Sequence, residues 1–499
     1  MKLNFKKILL YGGGIFVIHL QNEPASLDPH RLRLTNFVTQ NLYRNLYRYD
    51  NQMNLVPDLA ESCTTDFKNK SAKTFQTPKV TCTLRKNLKW SDGSPLNAES
   101  VLQSYQRFLA STSKSPRADI LFPVVNAEKY FKGEVDWKNV GIQIGKNESI
   151  TFTLNRPDPD FIHRLASPFN VPVKDLNSGK LLSSGPFQLE VWKPEESILL
   201  NRNKNDYVTG SSTDATVQKV QFKVVDESVL ALRMYEKGKI DFLPLLPTLF
   251  IPRWKSRADF SRVTLLRFDY LGFGPQLKDH KTVRETLAAG IDYDGFQKIL
   301  FADGKPGCLG TPDAWAPGVC IPNSIKNRQF QKPLPEMPKF LEYVYSQYAI
   351  EDLKRSAEWI QHSWKKNLGW NVKLRGMENR VLLSTLKTNP PPIFRRALTP
   401  ERPTCLSVLE VFTSNHPDNL IQLKSVELDS WVQQMGLIET TEQDRSELCR
   451  RGLSFLVEER YIVPLGPMSF AVLLNPDFEN ADLNSLYQLD LTNLKRKSR

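Results

Sequence analysis

β-patterned runs and amphipathic helical stretches alternate from one end of this chain to the other, and this constrains its fold more than any other feature. The texture is α/β or α+β, without internal repeats or low-complexity segments. It is clearest in "WSDGSPLNAESVLQSYQRFL". There a Ser-Asp-Gly turn leads to Asn97, a good N-cap, and Glu99 falls in the first turn, where the helix dipole favours a carboxylate. Val101, Leu102, Tyr105, Phe108 and Leu109 then recur at helical spacing. A second helix is predicted over 281–290. A third is predicted over 351–368, where Leu353, Ala357, Ile360, Trp364 and Leu368 repeat at three and four and Gly369 stops the helix. "ENADLNSL" and the basic tail "LKRKSR" read as surface structure. With 499 residues, the chain is long enough for two or three cores, because a single core stops growing near roughly 250–300 residues.

The amino-terminal stretch has two readings. Lys2, Lys6 and Lys7 precede an apolar run from Ile8 to Leu20, as in the middle of a secretory signal peptide. The same run, "GIFVIHL" above all, also reads as a first β-strand leading into a proline-framed loop. No later apolar run reaches the roughly 18–20 residues that cross a bilayer, since "YIVPLGPMSFAVLL" is broken by Pro464 and Pro467. The chain is therefore expected not to be an integral membrane protein. The net charge of +13 is spread among interspersed acidic residues, which favours a solvated surface over a nucleic-acid partner.

Six cysteines form an even set without a C-x-x-C pair, which argues against structural zinc and favours disulfides. "ESCTTD" and "KVTCTLR" look like neighbouring strands of a hairpin, pairing Cys63 with Cys82. Cys308 and Cys320 bracket a Gly/Pro-rich loop. Cys405 with Cys449 follows by elimination. Such bonds persist in an oxidising compartment.

Catalytic signatures are missing: no phosphate-binding loop, dinucleotide fingerprint, nucleophile elbow or H-E-x-x-H is present. The six histidines lie far apart. The expectation is a protein that is not an enzyme, with no metal and no cofactor.

Several blocks, in order, resemble the extracytoplasmic solute-binding proteins of family 5, the oligopeptide- and dipeptide-binding proteins of peptide-type ABC transporters. "EPASLDPH" is similar to that family's "EPxSLDP" signature. "NLYRNLYRYD", "LVPDLAES", "LRKNLKWSDGSPLNAESVLQSYQRFL", "SSGPFQLEVWKPEESILLNRNKNDY", "ALRMYEKGKIDFLP", "VRETLAAGIDYDGFQKILFADGKPG", "WIQHSWKKNLGWNVKL" and "LVEERYIVPL" resemble later blocks. The resemblance implies an α/β two-lobed clamshell of the type II, cluster C kind with an extra accessory domain. Domain I would comprise 1–48, 168–270 and 467–499, accessory domain II 49–167, and the opposing lobe, domain III, 271–466. Two hinge crossings would lie near "YLGFGP" and "VPLGP".

The same resemblance implies a monomeric, periplasmic receptor that captures a peptide or other small solute between its lobes and delivers it to a membrane permease. Asn22, Glu23 and Pro24 would line the ligand at the cleft edge, and Phe273, Arg395, Leu398 and Glu401 would bind ligand as well. In lobe III, "RRALTPE" stands where peptide binders carry "R-x-G-W-x-x-D", whose acid pairs with the peptide's α-amino group and whose arginine serves the carboxylate side or the pocket charge: Arg395 matches the arginine, Leu398 replaces the tryptophan and Glu401 the aspartate. Gly274 replaces a usual asparagine, and "DFLPLLP" is apolar where several peptide binders are polar. These departures keep open a non-peptide solute, or a degenerate relative with a signalling or chaperone-like role.

Overall fold

A computed structural model describes residues 14–67, 77–174, 181–208, 217–301, 334–347, 351–400, 402–437 and 439–497. Two long antiparallel strands, Phe260–Phe273 and Ile462–Leu474, run side by side through a ten-stranded sheet. On one side of them lie, in order, Phe242–Leu243, Phe16–Leu20, Lys219–Val224, Ser197–Arg202 and Phe187–Lys193. On the other lie Ile393–Leu398, Glu342–Ser346 and Lys373–Met377, which run parallel to one another.

Each long strand serves more than one hydrophobic core. Leu266, Tyr270, Leu271 and Phe273 pack with Ile462, Val463 and Leu465 in a large core that extends to Leu456 and Val457. The other ends, including Phe260, Ala471 and Leu473, pack into a smaller cluster with Trp254 and Leu232. Between the two, the strand pairing slips from Thr264 to Phe268 and again from Asp269 to Tyr270. Such bulges bend and twist a strand. Gly466, opposite Asp269, adopts φ +119°, a conformation that side-chain-bearing residues rarely take. The glycine of "VPLGP" thus lies at the irregularity, whereas "YLGFGP" begins just past it, its residues 270–273 paired regularly with 393–396.

The first strand, Phe16–Leu20, is an inner one. Phe16 and Ile18 are fully buried, and parallel neighbours flank the strand on both sides. The strand reading of "GIFVIHL" therefore holds. A further core, from Leu32 to Leu182, is built on a separate four-stranded antiparallel sheet ordered Ala60–Asp66, Lys79–Leu84, Ser149–Thr153, Ile142–Ile144. Along Lys79–Leu84, Val80, Cys82 and Leu84 point inward, with the period of two that a half-buried strand requires.

The three predicted helices form as Ala98–Leu109, Lys281–Ala289 and Glu351–Leu368. The Asn97 side chain accepts the Ser100 N–H at 3.0 Å. Gly369 ends the third helix at φ +73°. Cys63 and Cys82 face each other across neighbouring strands and are bonded, with Cα atoms 4.0 Å apart. Cys405 and Cys449 are bonded as well, with Cα atoms 6.0 Å apart. Cys308 and Cys320 lie outside the described residues.

One expectation is corrected in part. Of the two carboxyl-terminal stretches read as surface, Asn484 and Leu494 are buried, whereas their other described residues are half-buried or exposed. Leu489, Leu491 and Leu494 are buried against Phe16, Phe37 and Val220, and the Asn41 amide binds the Leu489 carbonyl and the Leu491 N–H. The apolar "DFLPLLP" supplies core: Phe242, Leu243 and Leu246 are at most 1% exposed. Those three side chains have a packing reason to be apolar.

Candidate functional site

In open α/β sheets, ligands bind beyond the carboxyl ends of the strands. Two segments of this chain occupy such positions. One is residues 21–36, which follow Phe16–Leu20; the other is the connection from Ile393–Leu398 to the helix Cys405–Leu409.

The first segment is held by a dense polar network. Asn22 is exposed, Glu23 half-buried and Pro24 buried. The Glu23 carboxylate accepts the Trp192 indole N–H at 2.5 Å and the Glu195 backbone N–H at 3.1 Å, so it is fastened to the edge hairpin of the first lobe. Asp28 caps the short turn Pro29–Arg31 and pairs with Arg107 at 2.5 Å. His30 is buried between Arg107, whose guanidinium donates to its Nδ1 at 2.8 Å, and the Val171 carbonyl, which accepts from Nε2 at 2.9 Å. Desolvation, and then the Arg107 charge, push the His30 pKa down to about 4. The ring is therefore neutral at physiological pH, as its acceptor role at Nδ1 requires. A small polar cavity of about 130 Å³ opens beside it, lined by His30, Arg31, Arg107 and Thr112 among others.

The second segment is different. Arg395 is 5% exposed, and its guanidinium is spent within the lobe. It donates to Asp269 from Nε at 3.0 Å and from Nη2 at 2.7 Å, and from Nη1 to the Ser356 hydroxyl. Asp269 in turn accepts from Arg267 at 3.1 Å. Burial pushes the Asp269 carboxyl up, but the two arginines pull it further down, below the ordinary value. Phe273 and Leu398 are core residues, 4% and 8% exposed. Glu401 lies outside the described residues. Gly274 has a packing reason: a Cβ there would sit 2.4 Å from the Pro391 carbonyl oxygen.

The comparisons with known proteins bear on this geometry. The family model for bacterial extracellular solute-binding proteins, family 5, matches residues 54–419. The chain belongs to that family. Its relatives include the periplasmic murein peptide-binding protein MppA of Escherichia coli K12, 24% identical over 500 residues, 94% of this chain and 90% of MppA. The periplasmic oligopeptide-binding protein OppA of the same organism is 25% identical over 491 residues, 91% of this chain and 87% of OppA. The solved structure of the unliganded, open form of MppA superimposes with a TM-score of 0.78 over 98% of both chains, at 22% identity. The fold is thus the two-lobed α/β clamshell of the family 5 solute-binding proteins, a family of binding proteins rather than enzymes.

Sequence reasoning about this family 5 protein passed over Arg396. On a strand, neighbouring residues face opposite ways, so the doublet Arg395-Arg396 sends one guanidinium to each face. Arg396 is half-buried beside Tyr270, and its charge is favoured by Tyr270 and Asp418, without the direct side-chain hydrogen bonds to a carboxylate that Arg395 makes. Burial pushes its pKa below the usual guanidinium range. The doublet itself was the signal in the sequence, and it cannot tell which arginine is committed to Asp269.

Proposed function

We propose that this chain is the extracytoplasmic receptor of an ABC importer, which captures peptides between its lobes and passes them to a membrane permease. The lobes follow the boundaries set out from the sequence: domain I from 1–48, 168–270 and 467–499, accessory domain II from 49–167, and domain III from 271–466. The observation that carries this reading is a pair of strands crossing between separately cored lobes, in a chain that matches the family 5 model over residues 54–419. A solute touching both lobes favours the closed arrangement by its differential affinity for it, and no covalent step is needed.

The residues at the two carboxyl-end segments take the roles in capture. Asn22, Glu23 and Pro24 form the rim, where the Trp192 bond fixes the direction of Glu23. Glu401 pairs with an ammonium. Arg395 acts by orienting its strand through Asp269, and Arg396, on the other face near Tyr270 and Asp418, reads a carboxylate. The protein works as a periplasmic monomer; no helix among the described residues is long and apolar enough to cross a membrane.

A non-peptide solute is the second reading. A relative described as a probable deoxycholate-binding periplasmic protein, YgiS of Escherichia coli K12, is 23% identical over 498 residues, 93% of this chain and 89% of YgiS. Leu398, where peptide binders carry a tryptophan, favours the same alternative. Native mass spectrometry of freshly purified protein separates the two. A ladder of co-purified peptide masses supports the first, and one discrete small molecule supports the second. Empty protein that shows no thermal shift with peptide pools overturns the peptide assignment.

A further inference from the structure

The core of the four-stranded sheet and the core of lobe III are far apart in sequence, yet they share a buried charged contact. Asp160, 7% exposed, immediately precedes the short helix Phe161–Arg164, whose Phe161 packs in the first of these cores. Its Oδ2 accepts from the Arg402 Nε–H at 3.2 Å and from the Thr404 hydroxyl at 2.6 Å. Arg402, 3% exposed, also donates to Glu410 at 2.6 Å. Thr404 caps the helix Cys405–Leu409, accepting the Ser407 N–H, so its hydroxyl ties the start of that helix to Asp160. Asp160 and Arg402 are 242 residues apart. Met53 and Leu486 pack against both cores around them. Burial alone would weaken the Arg402 charge, but Glu410 and Asp160 more than offset it and raise its pKa.

The segment held in this way is the one that follows the carboxyl end of strand Ile393–Leu398, where the second half of the candidate site lies. Among the described residues of lobe III, Glu410 is the side chain that pairs with Arg402. If the lobes separate, Arg402 keeps Glu410 and loses Asp160. The pair is therefore made or broken by the relative position of the two bodies rather than by the folding of either.

We propose that Asp160 is a positioning residue for the cleft: it receives Arg402 and Thr404 from the other body, holds these two residues at the start of the helix Cys405–Leu409, and biases the lobes toward a closed arrangement before a solute arrives. The effect on solute affinity rests on the receptor reading given above; the effect on closure does not. Separation hydrates two charges that closure had buried, so the net bias is smaller than the bare Coulomb attraction. A change of about tenfold in the open-to-closed ratio is the expected scale for such a coupling.

The test is single-molecule energy transfer on full-length, solute-stripped protein labelled at Lys138 and Val381, both exposed, one on each body. Asp160→Asn and Arg402→Gln should each raise the open-to-closed ratio about tenfold. The double variant should raise it no further than either alone, because one contact is being removed. Thr404→Val, a milder change, should give a smaller shift of the same sign. An unchanged distance distribution in variants that retain wild-type amide-exchange protection overturns the proposal, and so do additive effects in the double variant. Because no solute is present in this measurement, its outcome bears on the closing contact alone; adding peptide pools to the same labelled proteins tests the receptor reading separately, and a closure shift in the variants with no response to any pool would refute that reading while leaving the closing contact in place.

Discussion

Removing the carboxylate of Asp269 should cost lobe III a large part of its stability. Asp269 is 1% exposed, sits at the slip in pairing between the crossing strands, and accepts hydrogen bonds from both Arg395 and Arg267. In Asp269→Ala, Arg395 remains buried with no carboxylate, keeping the Ser356 hydroxyl and the face of the Phe296 ring. Breaking a buried pair from one side costs about 3–5 kcal/mol. For bodies of this size that corresponds to a fall in Tm of roughly 6–20 °C. A chain with several cores need not unfold in one step, so the loss is best read by amide hydrogen exchange in strand Ile393–Leu398. The pH dependence has a definite sign. The folded-state pKa of Asp269 is depressed, so its contribution is complete above the unfolded value near about 4 and is lost as pH falls through the lower folded value. Asp269→Asn should flatten that acid limb. Replacing both charges, Asp269→Leu with Arg395→Met, should recover much of the loss, since neither charge is then left buried alone. A single-variant cost below about 1 kcal/mol, the ceiling for exposed pairs, would refute this reasoning, as would a double variant no more stable than Asp269→Ala.

Other expectations follow from the same structure. The depressed pKa of His30, about 4, means that the folded state resists its protonation, so stability should fall as pH drops from about 6.5 to about 4 and level off below; His30→Gln should remove that component from a urea-denaturation series across pH. Cys63 and Cys82 close a loop of 19 residues, whose opening should cost about 3 kcal/mol on chain-entropy grounds, read as a lower denaturation midpoint in Cys63→Ser/Cys82→Ser. Gly274→Asn should destabilise lobe III by about 1–3 kcal/mol, because the new Cβ meets the Pro391 backbone carbonyl at 2.4 Å; a neutral result by thermal denaturation would mean that the 390–392 turn gives way freely.

What could be read from the sequence was mostly local. Asn97 and Gly369 announce the ends of their helices because capping depends on residues three or four positions away. Cys63 and Cys82 were legible because a hairpin makes sequence neighbours into spatial ones. What was not legible is which side of an element is buried. "DFLPLLP" and the carboxyl-terminal leucines fill cores whose other halves come from hundreds of residues away, so their apolar character has no local explanation. Arg395 and Arg396 differ in role only through the face each presents to the sheet, which the motif does not encode. Arg402 and Asp160 carry no sequence signal linking them at all.

The central claim, that the cleft captures peptides, is tested most directly by calorimetric titration of solute-stripped protein with peptide pools of fixed length from two to six residues. The account predicts saturable binding to at least one pool, weakened about tenfold (about 1.4 kcal/mol) by Glu401→Ala and, for peptides with a free carboxyl end, by Arg396→Met. No heat and no saturation with any pool, from protein whose amide-exchange pattern is native, would contradict it.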